Sequence, residues 1–235
     1  MLYKYETHLH TSDVSVCAHS SAEEMVLAYQ KAGYTGIIVT DHFITMHQCI
    51  PDGWSWEKKM LYLYSGFENA AALGANVGLD VFFGWEMTLL NGEDYLTYNL
   101  SLDFLLAHPE IAMLPLPAYS KLVRGADGLL VRAHPFRQAY YLPRNPTVRA
   151  QYIDGVEVNN GVKNDPSQNN SRACAFAAKH PSLFCTSGSD VHHVRYAGSA
   201  GMAFDRRFDS IHALADAMRR KEGWLIVDGE IEDAM

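Results

Sequence analysis

Apolar and polar positions alternate at the start of the chain, in Leu2-Tyr3-Lys4-Tyr5, as they do along a strand with one buried face. An irregular polar stretch then runs to Ser20. Ser21, followed three residues on by Glu24, has the pattern of a capping box and opens a helix. Met25, Ala28, Tyr29 and Ala32 recur at intervals of three and four, which gives that helix one buried side, and Gly33 ends it. Residues 36–40 are β-rich, so strand, helix, strand is the opening unit. Pro51-Asp52-Gly53 reads as a turn and residues 56–73 as a long helix. Residues 81–84 form a continuous apolar run suited to a strand buried on both faces. Residues 95–98, 129–133, 155–158 and 183–186 read as further strands, most of them separated by helical stretches, among them the Ala-rich residues 170–179. Asp209 reads as the cap of a last helix over residues 210–221, with Arg219, Arg220 and Lys221 at its negative dipole end.

Alternating strands and helices predict an α/β fold with a mostly parallel sheet. Whether the sheet is open or closed is decided by where the chemistry falls. His10, His42, Glu86, His134 and Asp190 each follow closely on the carboxyl end of a predicted strand. Such ends converge on one rim of a closed parallel barrel, but mainly at the switch point of an open sheet. Five clusters that need one site favour the barrel. Without repeats, low-complexity segments or linkers, residues 1–235 are expected to form a single domain.

Composition narrows the partners. A formal net charge of −8 disfavours a nucleic-acid binder that relies on a broad basic surface, while a small anionic substrate remains compatible with local cations. Cys17, Cys49, Cys174 and Cys185 are scattered with no C-x-x-C pair, and the first residues lack a secretory-leader pattern, so a reduced, cytoplasmic protein is expected. No apolar stretch approaches the roughly 20 residues of a membrane helix, and no membrane partner is expected.

The candidate chemistry begins with His8-Leu9-His10. Residues i and i+2 of a strand project to one side, so two imidazole nitrogens there can reach one divalent cation. Further ligand-type clusters are Thr40-Asp41-His42, Gly84-Trp85-Glu86, Ala133-His134-Pro135 and Gly188-Ser189-Asp190-Val191-His192. Taken singly, each has a plainer explanation: a hydrogen-bonded strand-end histidine, a polar strand terminus, a turn aspartate. Taken together they point to metal. Asp41 is read as orienting a ligand imidazole through its other nitrogen. His47, His108, His180 and His212 lack partner motifs and read as structural, and His193 should point away from His192.

In order, spacing and residue type these clusters resemble the PHP family, the polymerase and histidinol phosphatase superfamily of metal-dependent phosphoesterases, over nearly the whole chain. The resemblance implies a distorted (β/α)7 TIM-like barrel with two or three divalent metals, zinc, manganese or iron, at the strand carboxyl ends. Carried over residue by residue, it implies that His8 and His10 bind a first metal, that Glu86 bridges two, that Asp190 lies near the first, and that His42, His134 and His192 are the other imidazole ligands. Two positions depart from the family pattern. The ligand that usually follows the His-x-His pair has no clean counterpart, and Asp13, His19 and Cys17 are the candidates, with Asp13 taken as the acidic one. A histidine after the bridging carboxylate is replaced by Asp94, which is taken as the ligand of a third metal.

The expected activity is hydrolysis of a small phosphomonoester, or a small phosphodiester, by a metal-bound hydroxide. Glu86, Asp190 and His192 are the expected catalytic residues. Arg137 and Arg195, each three residues past a ligand, are candidates to clamp phosphate, with surface salt-bridging as the plain alternative. Glu157, at another strand end, could orient a ligand or contact substrate. An amidohydrolase-type reaction is the rival within enzymes, disfavoured by the lack of a lysine at a mid-barrel strand end. A non-catalytic metal- or phosphate-binding module is the rival outside them. Residues 43–80 and 138–150 are expected to shape the pocket, without a readable specificity code.

Overall fold

In the computed structural model, described at residues 1–43, 50–51, 53–140, 142, 146–161 and 166–233, the chain begins with β1 (Tyr3–Leu9), α1 (Ala22–Lys31), β2 (Gly36–Val39), α2 (Trp56–Val77) and β3 (Asp80–Thr88). It continues with β4 (Asp94–Tyr98), α3 (Leu102–Ala107), α4 (Leu116–Gly125), β5 (Leu129–Arg132), β6 (Gly155–Asn160), α5 (Asn170–Ala178) and β7 (Phe184–Gly188). The last elements are β8 (Ala200–Phe204), α6 (Ile211–Arg219), β9 (Trp224–Val227) and β10 (Glu230–Asp233). His47, Cys49, Asp52, Tyr141 and Pro143 lie outside the described residues.

One ten-stranded sheet runs β10-β9-β8-β1-β2-β3-β4-β5-β6-β7. It is more mixed than the sequence suggests. β1, β2 and β3 are parallel neighbours, as are β5, β6 and β7, but β4 is antiparallel to both β3 and β5, and β8 is antiparallel to β1. β3 and β4 are joined by only five residues, too few for the crossover that a parallel pair requires. The sheet curls into a half-barrel, consistent with a distorted (β/α)7 barrel of the PHP type, and brings β7 round to β1. There Thr7 Oγ1 donates to Ser187 O at 2.8 Å and His10 N to Val191 O at 3.0 Å. Among the described residues Leu9 and Val191 form an isolated bridge at this seam, not a continuous ladder.

The capping box of α1 is present, with Ser21 accepting from the Glu24 amide and Glu24 accepting from the Ser21 amide. α2 runs one turn further than its apolar pattern indicates and ends at Gly78, whose φ of 78° is the left-handed conformation glycine adopts without strain. The cap of α6 is Ser210, which accepts from the Ala213 amide; Asp209 stands one position too early. Two apolar clusters fix the layers. Met25, Val26 and Tyr29 of α1 pack with Ile37 and Val39 of β2, and a larger cluster gathers Trp85, Leu96 and Leu130 with Tyr119 and Val123 of α4. Among the described residues no helix is long and apolar enough to cross a membrane.

The seam between β7 and β1 depends on Gly188. A Cβ there would lie 2.5 Å from the His8 Cβ and 2.7 Å from Glu157 Oε1. Gly188→Ala should therefore lower stability by about 1–3 kcal/mol, the usual range for overpacking. Gly125→Ala, where nothing stands within 4 Å, should be neutral or slightly stabilising. Urea denaturation of the two variants beside the parent checks the pair, and equal midpoints would show that the seam is not tightly packed.

Candidate metal centre

Glu6, His8 and His10 occupy alternate positions on and just beyond β1, so all three turn to the side of the sheet that faces the other strand ends. His8 and His10 are fully buried, and their Nε2 atoms stand 3.1 Å apart, nitrogen to nitrogen. On the other side of its ring, His8 Nδ1 lies 2.9 Å from Glu157 Oε1. With that nitrogen held by the carboxylate, Nε2 is the atom aimed into the site, free to bind a cation once its own proton is lost.

β2 and β3 continue together past their regular pairing. Glu86 N donates to Asp41 O at 3.1 Å and Phe43 N to Glu86 O at 2.8 Å, which sets His42 beside Glu86. Glu86 lies within β3, not after it, and its carboxylate faces two ways. Oε1 is 3.0 Å from His134 Nε2 and 3.4 Å from His8 Nε2, and Oε2 is 2.9 Å from His42 Nδ1 and 3.5 Å from His10 Nε2. Because β4 runs backwards, its first residue, Asp94, reaches the same rim as the end of β3, where Thr88 Oγ1 donates to Asp94 Oδ1 at 2.6 Å.

His134 follows β5 and Asp190 follows β7, with φ of 25° and 51° respectively. Left-handed backbone at a histidine that precedes a proline is an unfavourable conformation, and such residues cluster where a side chain has to be aimed. The His134 amide donates to Glu157 Oε2 at 2.8 Å, and Asn160 Nδ2 donates to Glu157 Oε2 at 3.1 Å and to Asp190 Oδ2 at 3.4 Å.

Among the described residues four overlapping sets of donor atoms result, each with all members within 4.8 Å of one another: His10, His42 and His192; His8, His10 and Glu86; His8, His134 and Asp190; and Glu86, Asp94 and His134. These are clusters capable of coordinating divalent metals. Mixed imidazole and carboxylate donors suit zinc, manganese or iron better than calcium. The facing Nε2 atoms of His8 and His10, 3.1 Å apart, are placed to share a cation in exchange for the proton on His8.

The electrostatics of the cluster agree with this crowding. Burial would depress His8, but the charges of Asp190, Glu157 and Glu86 outweigh it and hold its pKa well above the usual imidazole value. Burial likewise works against a charged His42, and Glu86 again prevails, so that pKa is also raised well above normal. His10 goes the other way: burial, reinforced by charge on His42 and His192, holds it well below the ordinary value. Burial would raise Glu86 and Asp190, but His8 and the neighbouring imidazoles hold both well below the carboxylate range.

Besides Glu157, Glu6 and Asp41 lie outside the donor sets and carry buried hydrogen-bond networks. Glu6 Oε1 accepts from the His8 and Ser189 amides at 2.8 and 2.9 Å, and Oε2 accepts from Tyr29 Oη at 2.5 Å and Ser189 Oγ at 2.6 Å. Asp41 differs from its expected role. Its carboxylate takes the Thr11 amide at 2.6 Å, Thr11 Oγ1 at 2.7 Å and Ser15 Oγ at 2.7 Å, so it anchors the loop after β1, and burial pushes its pKa up to about 6. Ser15, in turn, sits 3.5 Å from His10 Nδ1 and accepts from the His42 amide at 3.1 Å. Glu6 is a functional neighbour beyond the expected set, and its place two residues before His8 on one strand face is the signal that marks it.

A cleft over these donors is lined by Cys17, His42, Glu86, Thr88, Gly92, Asp94, His134, Arg137, Asp190 and His192. Of the three candidates after the His-x-His pair, Asp13 is turned away: it accepts from the Ala22 amide at 2.8 Å and from Asn69 Nδ2 at 2.7 Å. His19 is exposed, with its ring 6.5 Å from that of His193. Cys17 is the one in the cleft. Burial would raise its pKa, but hydrogen bonds with His192 and His42 outweigh burial and bring it down to about 7. Arg137 reaches the cleft, with Nη1 3.5 Å from Asp190 Oδ2, whereas Arg195 is exposed and lies over the Tyr196 ring. His108, His180 and His212 lie elsewhere, against Glu110, Phe176 and Asp216 respectively.

No protein-family model matches the chain. A protein of Caldicellulosiruptor bescii named "Probable phosphatase" is 28% identical, over 82% of this chain and 81% of its own. A two-domain protein of Bacteroides vulgatus containing a predicted PHP-like metal-dependent phosphoesterase superposes with a TM-score of 0.71 at 12% identity; the match covers 98% of this chain and 66% of that one. The lesion-specific endonuclease of Pyrococcus furiosus superposes with a TM-score of 0.67 at 13% identity, over 94% of this chain and 56% of its own. At these identities the superpositions speak for the fold, and one fold can carry several activities. Together with the half-barrel and the four donor sets at its rim, they show that the chain has the fold of the PHP-like metal-dependent phosphoesterases, with histidine and acidic clusters capable of binding metal.

Proposed function

We propose that the protein is a metal-dependent hydrolase of a small phosphomonoester, acting at two or three divalent ions of zinc, manganese or iron. The observation that carries this reading is the convergence of four overlapping donor sets beneath one cleft that also holds Arg137. Glu86, with one oxygen towards His8 and His134 and the other towards His10 and His42, would hold two ions at once. Asp94 and His134 would complete the outer ion and Asp190 the inner one. When bound, such ions polarise phosphoryl oxygens and generate a nucleophile from water at neutral pH.

The chain's own residues then have separable tasks. Glu157 fixes the ring of His8 and the backbone of His134. Arg137, at the cleft, would take a phosphoryl oxygen through its guanidinium, as arginine does with oxyanions generally. We assign catalysis to Glu86, Asp190 and His192, which line the cleft and belong to the donor sets, and substrate contact to Arg137 in preference to Arg195. A single 1–235 domain in the cytoplasm, with a small phosphorylated substrate and no nucleic-acid or membrane partner, remains part of the proposal.

Glu86→Gln keeps the shape of the side chain and removes its charge. With phosphomonoesters as substrates and manganese added, turnover should fall by about 10²-fold or more, because a neutral amide holds metal far less well than a carboxylate and loss of even a ligand's outer partner costs roughly 10–100-fold. Circular dichroism should stay at the parent spectrum. Retained turnover with full metal content would remove Glu86 from the reading.

Metal binding should also release protons. His8 and His42 hold protons above the ordinary imidazole pKa, and the burial penalty on a charged His192 is outweighed by its Cys17 hydrogen bond and by Asp190, which raise its pKa too. Only neutral imidazole binds metal, so apparent affinity should climb as pH rises from about 5 to 8 and should continue to climb past about 6.5. Calorimetric titration with zinc in two buffers of different ionisation enthalpy measures the protons released. A buffer-independent heat with flat affinity would contradict the assignment of these histidines as ligands.

A further inference from the structure

Asp190 divides its carboxylate between two sets of neighbours. Oδ1 faces the first strand, 3.2 Å from His10 Nε2 and 3.5 Å from His8 Nε2. Oδ2 accepts from Asn160 Nδ2 at 3.4 Å and has Arg137 Nη1 3.5 Å away. These two partners of Oδ2 differ in freedom. Asn160 is buried, its amide donates to Asn170 Oδ1 at 3.2 Å, and its carbonyl accepts from Asn170 Nδ2 at 3.1 Å, so it is clamped in place. Arg137 is fixed only at its base. Its amide donates to His134 O at 3.0 Å and the next amide, of Gln138, to Ser167 O at 2.7 Å, while its side chain is 32% exposed at the cleft. A long side chain on an anchored backbone can swing its guanidinium without moving the strand ends.

Arg137 is therefore a cation resting on a carboxylate that belongs to a donor set, with His8 and His134. A guanidinium and a dication drawn to the same carboxylate repel each other. Among the described residues, the other carboxylates lining the cleft, Glu86 and Asp94, belong to donor sets as well, so none of them offers the arginine a berth apart from metal. An anion entering the cleft does. We propose that Arg137 exchanges Asp190 for the phosphoryl group of the substrate as metal binds, so that metal and phosphate-like anions bind cooperatively through this one side chain. Without an anion Arg137 opposes metal at Asp190; with one, it is drawn away and the opposition is relieved. Linkage makes the effect reciprocal, metal raising anion affinity by the factor that the anion raises metal affinity. An arginine that only clamps the anion, without a hold on Asp190, has no such consequence. The inference rests on the metal reading above and on Arg137 as its substrate contact, and its test separates the two.

Calorimetric titration of zinc into the full-length parent, Arg137→Gln and Arg137→Lys, each with and without sulfate as a phosphate-shaped dianion, reads the exchange independently of activity. Arg137 lies outside both apolar clusters, so these variants leave the core as it is. Without sulfate, Arg137→Gln is expected to bind zinc at least about five-fold more tightly than the parent, the low end of ordinary coupling between sites. Arg137→Lys, which keeps the charge, should stay near the parent. Sulfate should tighten zinc binding in the parent, and by a smaller factor in Arg137→Gln. Zinc bound by Arg137→Gln no more tightly than by the parent, a gain of the same size in Arg137→Lys, or an equal sulfate effect in parent and Arg137→Gln overturns the exchange and leaves the metal centre standing. A parent that binds no zinc overturns the metal centre, and the exchange with it.

Discussion

A carboxylate shut away from water is costly unless opposite charge and hydrogen bonds surround it, and Glu86 is shut away almost completely. Its surroundings are four imidazoles, His8, His10, His42 and His134, two on each oxygen. Without an ion, protons on His8 and His42 supply the compensation; with ions bound, the metals would supply it instead. Removing charge from Glu86 would leave these imidazoles facing one another.

What surrounds the donors is as specific as the donors themselves. Glu157 spans from the His8 ring to the His134 backbone, so one side chain on β6 positions groups from β1 and from the end of β5. The pairing of β6 with β7 slips between Glu157 and Asn159, a bulge that turns successive side chains to new directions and lets Asn160 reach both Glu157 and Asp190. Glu6 bonds to the amides of His8 and Ser189 and so ties β1 to the segment that carries Asp190. Such second contacts fix ring orientation and make neighbouring nitrogens better donors. The left-handed backbone at His134 and Asp190 is sustained by this network.

The donors were legible because strand geometry projects onto sequence directly. Two histidines at i and i+2, and polar residues closing apolar runs, mean the same thing in any parallel unit, and His8, His10, His42, Glu86, His134, Asp190 and His192 all come together in one cleft or on its floor. The backwards course of β4 was less visible, since the apolar run marks β3 only as far as Gly84 and makes the five-residue link after Thr88 look longer than it is, yet it is what carries Asp94 to the rim. β8, β9 and β10 lack strong punctuation and were not anticipated. The choice among Asp13, Cys17 and His19 could not be made from spacing, because it depends on where an irregular loop is pinned, and the pins are long-range: Asp41, Ser20 and the backbone of His192. Asp209 and Asp41 are of the right type for jobs that other residues perform: Ser210 caps α6, and Glu157 holds the His8 ring.

The most direct test of the metal-centre account is anomalous diffraction from crystals of the protein soaked separately in zinc and manganese. The account predicts two or three anomalous peaks in the cleft, one of them within bonding distance of Glu86 and of imidazole nitrogens from both His8 and His10. Peaks confined to the surface, or a cleft that stays free of anomalous signal at saturating metal, would contradict it.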